Sequence, residues 1–455
     1  MKREHFSSRL GFILVTAACS IGLGNIWRFP YITGKYGGAS FVLFYLIFLL
    51  ILGLPIVVME FAVGRASQRS TALSFDILEP EGTKWHRFKY ATLVGNYLLM
   101  MFYTVISGWL LYYFVEMAGG GFEGLSPNEV AGVFSDLLGN PAAMIACTFA
   151  VIAVSFGICA IGLQKGVERV TKVMMSFLFC LLIVLAVRSV MLPGAQTGLR
   201  YYLYPDFDAM QKTGVAECVF AAMGQAFFTL SIGIGTLSVF GSRIDKRHSL
   251  TSNALYMGVL DTAVALLAGL IIFPACFSFG VEPDSGPNLL FITLPNIFLA
   301  MNNGRLWGSL FFLFMVFAAL STVIAVIENI VTFGMDLTGC SRKASARVNL
   351  LFLLLLSLPC VLGFNLWKGF EPMGSGTSIL DLEDFLLSNN LLPLGSLIFL
   401  LFCTRRSGWG WDSFYQETAI GKGLSYPGFA RKYISYVLPV IVLAVFLGGY
   451  LSSLI

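Results

Sequence analysis

The chain has 455 residues, of which 57% are hydrophobic and only 12% charged, about half the charged share of an ordinary soluble domain. Its mean hydropathy is +0.81 and its net charge +4. So little polar surface excludes a soluble enzyme, a nucleic-acid-binding domain and a disordered scaffold, and leaves an all-α membrane protein.

A helix needs roughly 20 apolar residues to cross the bilayer core. Eleven segments are predicted, near 9–33, 38–63, 90–117, 142–161, 167–191, 214–240, 251–278, 305–336, 346–363, 379–403 and 432–453. The first has a centre of poor helix material, Ser20-Ile21-Gly22-Leu23-Gly24-Asn25, with Pro30 beyond it. Each glycine there costs up to about 1 kcal/mol relative to alanine. The second carries Glu60 in an apolar run. The sixth is interrupted in the same way, by Ser231-Ile232-Gly233-Ile234-Gly235. The seventh holds a carboxylate, Asp261, and an ionisable residue inside a span is functional by default. Between the seventh and eighth, the Pro-rich stretch 281–303 reads as an extramembrane hairpin.

Nine cysteines lie mostly in apolar runs without a CxxC pair, so they read as small core residues. The three histidines fall at segment ends or in loops, which argues against haem or a histidine-bound metal. The start, MKREHFSSRL, lacks the features of a removable signal peptide. No nucleophile motif or phosphate loop suggests a membrane enzyme.

Most of the 29 basic residues gather on one side if the N-terminus is inside: Lys2, Arg3 and Arg9; then Arg65 to Lys89; Lys165 to Lys172; Arg243 to Arg247; Arg342 to Arg347; and Arg405 to Lys432. That asymmetry predicts a cytoplasmic N-terminus, and an odd span count puts the C-terminus outside. The expected location is the cell (inner) membrane.

Small residues also serve close helix packing, so either break alone is ambiguous. The pairing decides. Breaks in the first and sixth segments, five spans apart, mark an inverted-repeat transporter. Each break frees backbone carbonyls for a cation and amides for an anion.

These residues are familiar. RLGFILVTAACSIGLGNIWRFPY resembles the first helix of the neurotransmitter:sodium symporter family, especially its bacterial amino-acid transporters of the leucine-transporter type. Residues 37–65 are similar to its second helix, GQAFFTLSIGIG (224–235) to its sixth and FAALSTVIAVIENIVTFGMD (317–336) to its eighth. Bacterial members include chains of eleven spans. The resemblance implies one domain over 1–455, with an inverted five-helix repeat: helices 1–5 (9–191) and 6–10 (214–403). Helices 1 and 6 are unwound, and an eleventh helix (432–453) follows.

The resemblance also implies sites. One sodium ion would meet the Ser20 carbonyl, Asn25, Thr229 and Asp261. A second would meet carbonyls of Ala18, Ile21 and Ala318 and the hydroxyls of Ser321 and Thr322. Chloride-dependent relatives carry Asn at position 261 and Ser at 265. This chain has Asp261 and Ala265, so chloride independence is expected, and proton exchange through Asp261 stays open. Gly22 stands where amine transporters carry Asp, leaving room for a substrate carboxylate. That carboxylate would meet Leu23, Gly24 and Tyr103, and the amine would meet Ser20, Phe228, Thr229 and Ser231. The side chain would face Leu99, Ile106, Phe228, Ile234, Thr322 and Val326, an apolar lining that favours an apolar or aromatic amino acid. Arg28 and Asp384 would form an outer gate, and Arg3 and Asp336 an inner one. Arg243 and Glu328 suggest a further inner contact, and Glu60 a bond to the unwound sixth helix. The expected activity is sodium-coupled import by alternating access, with a substrate-gated sodium channel or a transport-dead sensor as alternatives. Oligomeric state stays open.

Overall fold

The computed structural model describes residues 4–281 and 288–454. Among them the regular structure is helical, with one isolated bridge between His248 and Lys422. Among the described residues nine helices are long and apolar enough to cross a membrane: α2 (Ala39–Ser67), α3 (Trp85–Gly119), α4 (Pro141–Ile161), α5 (Leu163–Val190), α7 (Leu250–Ser278), α8 (Gly304–Thr338), α9 (Arg342–Leu362), α10 (Ile379–Thr404) and α11 (Gly428–Tyr450). The first segment, α1, is a broken span whose pieces Arg9–Ser20 and Gly24–Lys35 meet at 57°. The sixth, α6, is split into Val215–Thr229 and Thr236–Gly241, each too short to span by itself. The break therefore removes α6 from the helices that pass as full spans.

Hydroxyl caps mark several starts. Ser8, Ser249 and Ser341 accept the free amides opening α1, α7 and α9, and Ser378 with Asp381 forms a capping box on α10. Of the expected 281–303 hairpin, residues 282–287 lie outside the described residues, and Leu289–Ala300 is a short apolar helix.

α8 is the central post, packed against α1, α3, α4, α5 and α9. The outer faces of α5, α9 and α11 instead expose Phe177, Phe352 and Val440. In a bilayer such apolar surface needs no cover, because lipid tails are as apolar as leucine. Arg65, at the end of α2, is fully buried. It bonds Glu417 at 2.6 Å and the carbonyls of Glu417, His248 and Ile420, clamping α2 to the helix Trp411–Thr418 between α10 and α11.

Candidate substrate and ion site

Both breaks lie in the interior, side by side. In α1 the helical bonds stop at Ser20, and Asn25 closes the gap by accepting from the Gly22 amide at 3.2 Å. In α6 the chain turns at Ser231, a non-glycine residue with φ of +51°, and at Gly233, with φ of +98°. A left-handed serine is strained by roughly 1–3 kcal/mol and persists only where its surroundings hold it. Three polar groups do so. Glu60 of α2 accepts from the Gly233 amide at 2.6 Å. Asn96 of α3 donates to the Ile234 carbonyl at 2.9 Å and accepts from Thr236 and Asn329. Gln225 donates across to the Gly24 carbonyl at 2.9 Å, tying one break to the other.

Around the α1 break the oxygens form two groups. In the first, the Asn25 amide donates to Thr229 Oγ1 at 3.0 Å and to the carboxylate and carbonyl of Asp261 at 2.9 and 3.1 Å. Thr229 in turn donates to the other Asp261 oxygen at 3.0 Å. Ser20 is buried beside the same break. In the second, Thr322 Oγ1 lies 3.1 Å from the carbonyls of both Ala18 and Ile21 and 3.4 Å from that of Ala318, which also accepts from Ser321. Hard oxygen donors of this kind suit a small hard cation. Among the described residues there is no His, Cys, Asp and Glu cluster fit for a transition metal.

Between the breaks lies a cavity of about 20 Å³ lined by Ser20, Gly22, Gly24, Leu99, Tyr103, Phe228, Ser231, Ile234 and Thr322. The Tyr103 hydroxyl accepts from the Leu23 amide at 3.0 Å. A side chain at Gly22 would collide with that hydroxyl and lie 2.6 Å from Thr322 Oγ1, so it would have to push both side chains aside. Leu387 and Leu392 of α10 also line the cavity. Neither was expected from the sequence; the polar run Ser388-Asn389-Asn390 marks this part of the span but not its leucines, and here the helix widens to the π form over Phe385–Leu391.

Above the cavity a vestibule of about 690 Å³ is lined by Leu23, Arg28, Tyr103, Ile106, Phe228 and Asp384, among others. Tyr103 and Phe228 line both spaces and form the floor between them. Ile106 thus faces the vestibule, and Val326 is fully buried but lines neither space. Arg28 lies over the Phe228 ring, 4.2 Å from its centroid, and Asp384 accepts from Ser388 at 2.6 Å. Arg28 and Asp384, the expected outer gate, both flank the vestibule without closing on each other.

The opposite end is sealed. Glu328 of α8 is fully buried and accepts from Arg243 at 2.6 Å and from Arg342 at 2.7 and 3.0 Å. Arg342 was an unforeseen partner. The N-terminal segment closes over this knot: Glu4 pairs with Arg342 at 3.7 Å, and the Ser7 amide and hydroxyl bond Glu168 at 2.8 and 2.6 Å. Asp336 accepts from the Ser70 amide at 2.8 Å and lies 3.7 Å from Arg69. Arg3, its expected partner, lies outside the described residues.

A helical membrane protein whose two broken helices share one buried polar site, open at one end and sealed at the other, is a secondary transporter. Sequence comparison gives the particular kind: the chain belongs to the Sodium:neurotransmitter symporter family, matched over residues 3–119 and 134–453. It is 36% identical to the sodium-dependent transporter YhdH of Bacillus subtilis (strain 168), over 88% of this chain and 87% of that one. It is 33% identical to a sodium-dependent transporter of Haemophilus influenzae, over 98% of both chains. The crystal structure of MhsT in complex with L-phenylalanine superposes with a TM-score of 0.87 at 36% identity, covering 98% of this chain and all of that one. The protein is a multi-pass, sodium-dependent symporter and not an enzyme.

Proposed function

We propose that this symporter imports an apolar or aromatic L-amino acid, coupled to two sodium ions and independent of chloride. The observation that carries the reading is the corner at Gly22. There the Leu23 and Gly24 amides and the Tyr103 hydroxyl surround a residue that brings no side-chain carboxylate of its own, which leaves the place for a free substrate carboxylate. The amine goes to the Ser20, Phe228 and Thr229 carbonyls and the Ser231 hydroxyl, and the side chain to Leu99, Ile234, Leu387 and Leu392. L-Phenylalanine, the ligand of the MhsT complex, belongs to the proposed class.

One sodium ion occupies the group around Ser20, Asn25, Thr229 and Asp261, the other the group around Ala18, Ile21, Ala318, Ser321 and Thr322. The Asp261 carboxylate supplies the negative charge that chloride brings elsewhere. The N-terminus is cytoplasmic and the vestibule extracytoplasmic. Tyr103 and Phe228, then Arg28 and Asp384, close above the substrate before the Arg243–Glu328–Arg342 knot, and Arg3 with Asp336, release below. Two sodium ions moving through 100 mV supply about 4.6 kcal/mol, enough for more than about a thousandfold accumulation.

The test is a thermal-shift panel of amino acids with and without sodium, followed by uptake into proteoliposomes with chloride replaced by gluconate. Sodium-dependent stabilisation by phenylalanine, tryptophan or leucine and unchanged uptake without chloride support the proposal. Stabilisation by no amino acid, or uptake that falls without chloride, overturns it.

A further inference from the structure

α11 carries one exposed stripe along its length. Phe429, Lys432, Tyr436, Val440, Leu443 and Leu447 recur at intervals of three or four residues, the spacing of one helix face. All six are exposed; Phe429 is 94% exposed and Val440 65%. The stripe changes character along its length. Its upper part is aliphatic, as lipid tails require. Its lower end is aromatic and cationic, and there α10 delivers more charge: the Arg405 guanidinium lies 5.3 Å from the Tyr436 ring centroid, with Arg406 next to it. Arg431 also sits here but is occupied by Asp412 at 3.5 Å and by the Trp411 ring. Among the described residues Arg405, Arg406 and Lys432 have no carboxylate partner.

We propose that the junction of α10 and α11 is a binding site for one anionic phospholipid. Its phosphate lies between Lys432 and Arg405, Arg406 adds a third positive charge beside them, and an acyl chain lies on Val440, Leu443 and Leu447. Three facts point to lipid rather than a soluble anion. The cations stand where two membrane-crossing helices meet the bilayer surface, so headgroups are the nearest anions. The apolar stripe continues from the cations into the span. Phe429 and Tyr436 are rings of the kind that settle at the headgroup level. Each cation near an anionic leaflet contributes on the order of 1 kcal/mol, so losing two weakens binding about thirtyfold. The inference is independent of which amino acid is carried.

The test is native mass spectrometry of the full-length protein in detergent, titrated with phosphatidylglycerol, phosphatidylcholine or inorganic phosphate. Thermal stability is followed in parallel. One phosphatidylglycerol should remain bound through delipidation that strips phosphatidylcholine. An Arg405→Gln, Lys432→Gln double variant should hold it about thirtyfold more weakly, whereas a Lys343→Gln, Arg347→Gln variant with the same charge loss on α9 should match the wild type. Equal retention of both lipids, equal losses in the two double variants, or a phosphate-induced shift equal to that of the lipid would overturn the proposal. So would a dimer that forms without lipid and covers the stripe. If the α10–α11 variant fails to fold, the lipid preference of the wild-type protein still decides.

Discussion

The side-chain amide of Asn25 donates to both the carboxylate and the carbonyl of Asp261, at 2.9 and 3.1 Å. This pair joins the break in α1 to the middle of α7 and brings a carboxylate into the interior beside Thr229. With Ala265 one turn further along, also fully buried, it replaces the amide and hydroxyl expected of a chloride-using relative.

Asp261→Asn should raise the sodium concentration for half-maximal amino-acid binding at least about tenfold, because a unit charge close to the cation is lost. Adding Ala265→Ser should restore part of the binding, but only when chloride is present. Scintillation proximity binding in chloride and gluconate buffers measures both. Unchanged sodium affinity in Asp261→Asn would remove this carboxylate from the ion site.

Gly22→Ala should strongly weaken substrate-dependent stabilisation while leaving the fold intact. The added methyl collides with the Tyr103 hydroxyl and crowds Thr322 Oγ1 at 2.6 Å. The expected loss of affinity is about a hundredfold, or ~3 kcal/mol. Substrate-dependent thermal shift at saturating sodium reads it, with melting of the ligand-free protein as the control.

Arg243→Ala should favour opening at the sealed end. Removing one partner of a buried ion pair costs about 3–5 kcal/mol where nothing replaces it, and Arg342 keeps Glu328 paired, so the cost is smaller here. Cys159, whose carbonyl bonds Arg342 at 3.1 Å, is buried behind this knot. Its alkylation by a maleimide, located by peptide mass spectrometry, should rise several-fold in Arg243→Ala and further in Arg243→Ala, Arg342→Gln. Equal labelling of all three proteins would show that the knot is not a latch.

Glu60→Gln should retain most transport, since the amide oxygen still accepts from Gly233. Glu60→Ala should not, because the buried Gly233 amide would be left unpaired at about 1–3 kcal/mol next to strained Ser231. Uptake and melting temperature should fall together in Glu60→Ala. A fall of the same size in Glu60→Gln would mean that Glu60 acts through its charge.

Much of the candidate site was legible because chemistry stands out against an apolar background. Gly22, Gly24, Gly233 and Gly235 disturb helices in two places five spans apart, and Asp261 is a carboxylate inside an apolar span, whereas Asn25, Thr229, Ser321 and Thr322 were reached only through the resemblance to the family, since a polar residue in a span otherwise reads as a contact between helices. Leu387 and Leu392 were not legible, because a leucine lining a cavity has the same sequence signature as one touching lipid. Nor was Arg342, which sits at a helix start where a basic residue usually meets water or headgroups.

The amino-acid sequence by itself determined that the chain crosses a bilayer, where its helices break and which side chains can offer oxygen to an ion. Only the tertiary structure decided which of them meet: Asn25 with Asp261, Thr322 with two carbonyls of α1, Glu328 with two arginines, and Tyr103 with Phe228 as a floor. The reason lies in the solvent. In water, hydrophobic periodicity separates the inner face of a helix from the outer one. In a bilayer both faces are apolar, so the pattern that would have placed each residue is erased, and contacts between helices have to be seen.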